Sequence, residues 1–378
     1  MSMILDGTNG VTFNDSSLQG AAASPYTLKN RIINGSMQID QRNAGASVTA
    51  TGAGGSFFYT VDRFAYQVAQ ASKFTVQQNA GSVTPPAGFT NYLGITSSSS
   101  YTSLATDYFA IVQPIEGYNI SDFAWGTANA KTVTLSFQVR SSLTGTFSGT
   151  LLNASANRTY PFTYTISSAN TWTSVSITIS GETTGTWGST NGVGIYLIFD
   201  IGSGSNFKTS SSNAWSSAGF YGVTGSQSVV GTNGATFYIT GVQLEIGSTA
   251  TPFERRMYGQ ELALCQRYCY SVNASGGVYT RYGVGECYTT VRLESYIYLP
   301  VNMRIVPSLT TTGTASNYAV YSANVITSLS SVPVMGGGST VQMLQLDSAV
   351  ASGLTAGRAG QLLSNNNTTS YLTFSAEL

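Results

Sequence analysis

Acid–base chemistry has few possible carriers in this chain, because the sequence contains no histidine. Its absence excludes the commonest general base, the Ser-His and Cys-His nucleophile pairs and the imidazole metal sites. Two carboxylates suffice for glycoside hydrolysis. The candidates, most of them beside turns or in alternating strands, are Asp107, Glu116, Asp122, Glu182, Asp200, Glu286 and Glu294. Carboxylates at such positions are ordinarily solvent-exposed surface charges, so we expect no catalytic residues.

Aromatic rings in loops offer a second chemistry, the binding of sugars. Apolar sugar faces contact aromatic rings, and sugar hydroxyls pair with uncharged amides and carboxylates. Trp187 in GTWGSTNG and Trp215 in SSNAWSSAGFYG are candidates, with Asn213 and Tyr221 beside the second. Each tryptophan either anchors its loop or is offered to a ligand, and both alternatives stay open. Trp172 precedes an alternating strand, which favours a place in the core.

Further sugar-binding candidates occur in the last hundred residues. Tyr318 and Tyr321 lie in SNYAVYS, and the run NNNTTSY at 365–371 is rich in amides and hydroxyls. If this region is the distal end of a longer assembly, its loops are as suitable for a receptor as the tryptophan loops.

Thiols and carboxylates give weak signals for a metal. Cys265, Cys269 and Cys287 are odd in number, so we expect buried free thiols rather than a disulfide framework. Asp6, Asp15 and Asp62 are candidates for a structural calcium site, but no Asp-x-Asp-x-Asp spacing supports one. We predict no metal site and no cofactor.

The charge content excludes several classes of partner. Only 8% of the residues are charged, against about a quarter in ordinary soluble proteins, and the formal net charge is zero. Arg255-Arg256 is the only adjacent basic pair, so nucleic-acid binding is not expected. No apolar stretch approaches the roughly 20 residues of a membrane span, and the N-terminus lacks a signal-peptide pattern. We therefore expect synthesis in a cytoplasm and no membrane insertion.

Short strands between glycine-, serine- and asparagine-rich turns must position these residues. Alternating apolar residues mark strands at 133–139, 175–179 and 195–199, and turn signals recur as in sandwiches and jelly rolls. Between Pro300 and Pro307, VNMRIV is predicted as an edge or a connection, and 372–378 alternates as a strand. Val11 and Phe13 indicate a strand, followed by a turn at Asn14-Asp15-Ser16-Ser17. The sequence predicts an all-β protein.

The run from Phe237 to Tyr270 changes from strand to helix. Phe237 and Ile239 point one way, and the apolar phase slips by one residue at Gly241, which indicates a β-bulge. Thr251-Pro252-Phe253-Glu254 has the form of a capping box and predicts a helix start. Four apolar residues then follow at spacings of four, three and four positions, which predicts that they share one helix face. That face consists of Tyr258, Leu262, Cys265 and Cys269.

These patterns divide the chain into four predicted parts. They are an N-terminal segment 1–29 with a hairpin, a jelly-roll sandwich 30–250, a linking helix 251–271 and a smaller β-sandwich 272–378. We expect the helix stripe to be buried against both β-domains or against symmetry copies, because an isolated helix of this length is marginal.

Several stretches together resemble segments of bacteriophage tail-fibre and tail-tip proteins. The joint, TFYITGVQLEIGSTATPFERR followed by QELALCQRY, is similar to the end of a carbohydrate-binding-module-like jelly roll that leads into a helix and a C-terminal head. The other matching stretches are GVTFNDSSLQ, NRIINGSMQIDQRNAG with VDRF, NTWTSVSITISGETTGTW, LPVNMRIVPSL and SGLTAGRAGQLLSNNNTTSYLTFSAEL. Cys269 stands where an aromatic residue is commoner, a departure that concerns packing.

The resemblance implies a homotrimeric fibre in the virion tail. Its N-terminal segment would dock to other virion tail proteins, its helix stripe would help to hold the trimer, and its distal end would bind a host cell-surface glycan without catalysis. A polysaccharide-degrading tail spike and a purely structural capsid or collar decoration protein are the alternatives.

Overall fold

The structure is a computed structural model that describes residues 4–6, 10–12, 18–19, 28–52 and 55–378. Strands dominate the described residues, and one short α-helix separates two β-regions. The predicted all-β class is therefore confirmed. No helix among these residues is long and apolar enough to span a bilayer.

The N-terminal segment forms a small three-stranded sheet. Its strands are β1 (Ile4–Asp6), β2 (Gly10–Thr12) and β3 (Leu18–Gln19), and β2 pairs antiparallel with both neighbours. The predicted strand at Val11 coincides with β2, while Phe13 and the predicted turn at 14–17 lie outside the described residues. Three strands of two or three residues replace the expected hairpin of two.

The first β-region contains strands of two to eleven residues. They are β4 (Val48–Thr49), β5 (Phe58–Tyr59), β6 (Ala65–Val68), β7 (Phe74–Gln78), β8 (Leu93–Ser97), β9 (Phe109–Glu116), β10 (Val133–Ser141), β11 (Gly145–Asn153), β12 (Thr159–Ile166), β13 (Thr173–Ile179), β14 (Val193–Asp200), β15 (Lys208–Thr209), β16 (Gly222–Val223) and β17 (Thr236–Ile246). Short 3-10 helices at Ala80–Ser82, Gly117–Asn119, Ser121–Phe123 and Ser205–Phe207 connect them.

Two six-stranded antiparallel sheets face each other as a jelly-roll β-sandwich. One has the order β13-β10-β17-β8-β7-β4, and the other β12-β11-β14-β9-β6-β5. One apolar cluster fills the space between them and includes Leu135, Phe137, Leu197 and Phe199. The alternation in β10, β13 and β14 predicts these inward positions correctly, and β14 is an interior strand with Ile198 buried on its other face.

The predicted bulge is present in β17. Ser136 pairs with Gln243 and Gln138 with Thr240, so that Gly241 and Val242 together oppose Phe137. The extra residue shifts the inward set, which is Phe237, Ile239, Val242, Leu244 and Ile246. The phase slip at the glycine is therefore confirmed, and Gly241 has the left-handed φ of 62° that such a position favours.

The helix begins later than the capping pattern predicts. The helix is α1 (Tyr258–Gln266), and Met257 is its N-cap residue. The Met257 N–H donates to Gln260 Oε1 at 3.2 Å. The capping-box prediction at 251–254 is wrong, because the Thr251 and Glu254 side chains are bonded to residues outside this segment. Thr251 Oγ1 donates to Glu245 at 2.7 Å, and the Glu254 carboxylate accepts the Lys29 and Asn30 N–H groups at 2.9 and 3.0 Å.

The predicted helix stripe is only partly correct. Cys265 is fully buried and Leu262 half-buried in a cluster with Ile33, Ile39, Leu264, Tyr268 and Leu378. Cys269 lies beyond the helix, at the start of a strand, and Tyr258 is 60% exposed. The helix therefore packs through its last two turns. The prediction is wrong for Cys269, because the helix ends at Gln266.

The second β-region begins directly after the helix. Its strands are β18 (Cys269–Asn273), β19 (Arg281–Thr289), β20 (Arg292–Tyr298), β21 (Ser308–Thr311), β22 (Tyr318–Ser322), β23 (Val325–Ser328), β24 (Val334–Met335), β25 (Met343–Ala349), β26 (Ala359–Ser364) and β27 (Tyr371–Ser375), with a 3-10 helix at Ala315–Asn317. They form a three-stranded sheet β18-β27-β21 and a seven-stranded sheet β23-β22-β26-β19-β20-β25-β24. Residues 301–306 form the predicted connection.

The two sheets of this region share one core. Leu372 and Phe374 of β27 pack in the same cluster as Leu293 and Leu344 of the larger sheet. All three cysteines are free and buried, as expected. The boundaries at residues 30, 251 and 272 stay predictions, although the strands of the two β-regions end at Ile246 and begin at Cys269.

Candidate functional site

A groove of about 450 Å³ lies on the outer face of the sandwich where β10, β13 and β17 meet the loops around residues 89 and 252. We call it the bulge groove. Its lining consists of Phe89, Ser136, Phe137, Gln138, Ser174, Val175, Ser176, Gly241, Ala250, Thr251, Pro252, Phe253 and Arg255.

Strand alternation makes the floor of the bulge groove polar. In β10, Leu135, Phe137 and Val139 enter the core, so the side chains of Ser136 and Gln138 point to the outer face. Ser174 and Ser176 do the same in β13, and Ser174 Oγ donates to Gln138 Oε1 at 3.0 Å. The side chains of the floor are therefore uncharged, and their hydroxyl and amide groups face outward.

The bulge makes room for the aromatic wall of the groove. A Cβ atom at Gly241 would lie 2.7 Å from the Phe89 ring, so the ring occupies the space that a side chain would need. Phe89 and Phe253 meet edge to face with their centroids 5.1 Å apart. Both rings are half-buried, and together they present an apolar wall beside the polar floor.

One charge belongs to the lining. The Arg255 guanidinium carbon lies 4.9 Å from the Phe89 ring centroid and 5.8 Å from that of Phe253. The lining contains neither aspartate nor glutamate. The arrangement can therefore bind a hydroxylated ligand through hydroxyls, an amide, two rings and a cation, and it offers no acid–base pair.

The two predicted tryptophans lie together in an aromatic cluster at another place. Trp125, Trp187 and Trp215 contact one another edge to face with centroids 4.9 to 5.4 Å apart. Each indole N–H donates to a backbone carbonyl, of Lys131, Thr184 and Ser180 respectively. Trp187 and Trp215 are half-buried, so they anchor their loops and keep an exposed edge.

Tyr221 packs in a different apolar cluster from the tryptophans. Asn213 is exposed with a left-handed φ of 58°, and its N–H donates to the Pro161 carbonyl at 2.7 Å. Tyr221 packs against Phe207 and donates its hydroxyl to Gln67 at 2.6 Å, and burial raises its pKa to about 12. Trp172 packs half-buried on Tyr92, on the outer side of the sheet and not in the main core.

The two predicted tyrosines of the second β-region have different environments. Tyr318 is fully buried, and its hydroxyl donates to the Tyr371 carbonyl at 2.6 Å. Its proposed sugar-stacking role is therefore wrong, because the ring is core and the hydroxyl is used inside the protein. Tyr321 is half-buried beside a shallow groove of about 280 Å³ and bonds Asn324 at 3.0 Å, so it stays a candidate.

Most candidate carboxylates are engaged with cations. Glu116 bonds Arg267, Glu182 bonds Arg158, Asp200 faces Lys208 at 3.3 Å and Asp122 faces Arg31 at 2.8 Å. Glu286 and Glu294 are cross-strand neighbours on β19 and β20. Asp62 lies with Arg42 and Gln41, and the described residues contain no group of three ligands suited to a metal ion.

Sequence reasoning missed Phe89, Phe253 and Arg255 as site residues. The signal for the floor was available in the alternation of β10 and β13 and in the slip at Gly241. The walls carry no such signal, because Phe89 lies about 150 residues before Gly241 in the chain and only the fold brings them together.

The comparisons with known proteins give no family. No protein-family model and no curated protein matches the chain. Among solved structures, the enzymatically active domain of tailspike protein 4 of bacteriophage CBA120 aligns with 60% of this chain and 22% of its own, at 13% identity and a TM-score of 0.30.

Two sugar-related structures align to a similar extent. A putative sugar-binding protein of Bacteroides thetaiotaomicron covers 58% of this chain and 100% of its own, at 13% identity and a TM-score of 0.32. The family 11 carbohydrate-binding module of a Clostridium thermocellum cellulase covers 53% and 100%, at 10% identity and a TM-score of 0.25. These scores are too low to assign a family or a function.

Proposed function

We propose that this protein is a bacteriophage virion structural protein, a homotrimeric tail-fibre or tail-tip protein that attaches to a host-surface glycan without catalysis. The observation that carries the proposal is the bulge groove, with its hydroxyl and amide floor beside two aromatic rings. The sequence resemblance to tail fibres supplies the virion context.

The groove has the chemistry that a sugar ring requires. Phe89 and Phe253 can contact the apolar C–H face of a pyranose, and Ser136, Gln138 and Ser174 can exchange hydrogen bonds with its hydroxyls. Uncharged donors and acceptors of this kind are insensitive to salt, because screening acts mainly on ionic contacts. The site therefore suits a protein that binds outside the cell.

Two features support assembly into a trimer. The sheet of β1, β2 and β3 has strands of only two or three residues, which are too short for independent stability without packing partners. Exposed and half-buried apolar side chains also gather near α1, where Leu28, Ala263, Leu264 and Val301 line a groove of about 390 Å³. Tyr258 and Met257 lie exposed at the start of the same helix and are free to contact a second copy.

A steric block tests the glycan site. Ser174 is exposed on β13, so Ser174→Tyr places a ring in the groove without disturbing the core. Thr178→Tyr is the matched control, because Thr178 is exposed on the same face of the same strand and does not line the groove. We expect S174Y to abolish binding of the full chain to host-surface polysaccharide and T178Y to retain it.

Equal binding of the two variants would place the glycan site elsewhere. Light scattering on the wild type measures the assembly separately, and a stable monomer would contradict the trimer.

Glycan hydrolysis is a second candidate function, favoured by one observation. Glu286 and Glu294 lie directly opposite each other on adjacent strands, where Cβ atoms are about 5 Å apart. Their carboxyl groups can therefore approach to the roughly 5–5.5 Å that retaining glycosidases use. Arg292 forms an ion pair with Glu294. Release of oligosaccharides by the wild type and its loss in Glu294→Gln would favour this reading over attachment.

A further inference from the structure

Arg255 is an unused cation in the bulge groove. Its guanidinium forms no salt bridge and no hydrogen bond with any residue that the structure describes, whereas Arg31, Arg42, Arg63, Arg158, Arg256, Arg267 and Arg292 all pair with carboxylates. The preceding Glu254 does not neutralise it, because its carboxylate accepts from Lys29, Asn30 and Arg256. Within the described part of the chain, no carboxylate compensates the positive charge of Arg255 in the groove.

The packing around Arg255 holds this charge at the groove. Its guanidinium carbon is within 6 Å of both the Phe89 and the Phe253 ring centroids, a distance at which a cation interacts favourably with a ring face. A Cβ atom at Gly88 would lie 2.7 Å from Arg255 Nη2, so the side chain runs close along the backbone of that loop. The guanidinium is therefore oriented while its N–H donors stay available.

The rest of the lining favours a ligand in which the anionic group is attached to a sugar ring. A free anion would need only the arginine, whereas the floor adds the hydroxyls of Ser136, Ser174 and Ser176 and the amide of Gln138. Guanidinium groups bind carboxylate and sulfate or phosphate oxygens through paired N–H donors.

Resting on the proposed glycan-binding function, we infer that the bulge groove takes an acidic saccharide, whose anionic oxygen group pairs with Arg255 while its ring contacts Phe89 and Phe253. The shared chemistry is an anionic oxygen on a sugar ring, either a uronate carboxylate or a sulfate ester. A neutral glycan would leave this cation without its partner.

Two pairs of polymers test the inference on the full chain. Polygalacturonate is compared with its carboxyl-reduced form, and dextran sulfate with dextran, in affinity electrophoresis and calorimetry. We expect the wild type to bind at least one anionic polymer about ten-fold more tightly than its neutral counterpart. Arg255→Gln should remove that difference and leave the binding of the neutral polymer within two-fold.

A matched variant separates local from overall charge. Arg358→Gln removes the same charge from an exposed position in the second β-region, outside the groove lining, and should bind like the wild type. Equal losses in R255Q and R358Q would overturn the inference, because they would indicate attraction by net charge alone. If the wild type prefers polygalacturonate, the ligand group is a carboxylate. If it prefers dextran sulfate, the ligand group is a sulfate ester.

The outcomes also distinguish this inference from the proposed function. If S174Y abolishes binding while R255Q changes nothing, the groove binds a glycan and the acidic specificity is wrong. If S174Y abolishes binding to host-surface polysaccharide but the wild type binds none of the four polymers, the acidic specificity is wrong and the proposed function stands. If S174Y and R255Q both bind host-surface polysaccharide like the wild type, the groove is not a glycan site and both proposals fail.

Discussion

At the scale of single residues, the buried side chains of this protein explain why some of the predicted site residues have other roles. Tyr318 has a polar hydroxyl and an apolar ring, and in the sequence these features are equally compatible with a ligand and with a core. The structure satisfies the hydroxyl internally at Tyr371 and Thr312. Arg255 is the opposite case, since its partners are rings and its donors are unused.

Asp62 is a buried carboxylate whose titration affects stability. Burial raises its pKa to about 6, although Arg42 at 3.6 Å and hydrogen bonds from Gln41 lower it. A raised pKa means that the folded protein binds this proton more tightly than the unfolded chain. The contribution of Asp62 to the free energy of unfolding is therefore largest below the ordinary value of 3.8 and is lost as the pH rises to about 6.

Asp62→Asn should remove this pH dependence. We expect the wild type to lose on the order of 2–3 kcal/mol between about pH 4 and 6 relative to the variant, because one pKa unit corresponds to about 1.4 kcal/mol. Urea unfolding at several pH values measures the slope. Asp122→Asn is the control, since its carboxylate is about half exposed. Equal slopes in wild type and D62N would contradict the assignment.

At the scale of elements, the β-bulge at Gly241 was predictable, because the residues that reveal it all belong to one strand. Apolar periodicity in β17 changes by one residue, and the structure shows Gly241 and Val242 opposite Phe137. The helix start was not predictable from Thr251 and Glu254, because their side chains bond Glu245, Lys29 and Asn30, which belong to other elements. Local patterns therefore fail where a long-range partner competes for the same side chain.

Gly241→Ala should destabilise the protein and deform the groove. The backbone has φ of 62°, and the new Cβ would lie 2.7 Å from the Phe89 ring, which must then move. We expect a loss of about 2 kcal/mol in the free energy of unfolding, from left-handed strain and displacement of the ring. Weaker glycan binding should accompany it, because Phe89 is a wall of the groove.

Gly234→Ala provides the comparison for G241A. Gly234 has a similar φ of 75° but no neighbour within 4 Å of an added Cβ, so only the backbone strain applies, about 1 kcal/mol. Urea unfolding of both variants gives the difference. An equal cost would show that the Phe89 ring yields freely and does not depend on the glycine.

At the scale of the whole molecule, a network of charges joins the two β-regions. Glu116 at the end of β9 accepts from Arg267 Nε at 2.9 Å and Nη2 at 2.6 Å, and also from the Tyr268 hydroxyl. Burial alone would raise the pKa of Glu116, but these donors together hold it below its ordinary value. Arg304 adds a bond to the Asn191 carbonyl at 3.0 Å. This network was not predictable from the sequence, because its members are far apart along the chain.

Glu116→Gln should weaken the coupling between the regions. The variant keeps the shape but loses the charge that Arg267 and Tyr268 contact, and we expect a loss of about 2 kcal/mol. We expect calorimetry to give one transition for the wild type and two for E116Q. Glu286→Gln, at an exposed position without a salt bridge among the described residues, should unfold like the wild type. A single unshifted transition in E116Q would show that the network does not couple the regions.

The pairing of Arg63 with Glu377 has a consequence for the order in which the protein is made. Arg63 is almost fully buried, and its carboxylate partner lies 314 residues later in the chain. At about 5–20 residues per second, a ribosome takes roughly 15 to 60 seconds to travel that distance. During this interval, the Pro114 carbonyl, which accepts from Arg63 at 2.6 Å in the finished protein, is the remaining hydrogen-bond acceptor of this guanidinium among the described residues. We therefore expect the strands around Arg63 to reach their final packing only after Glu377 has been synthesised.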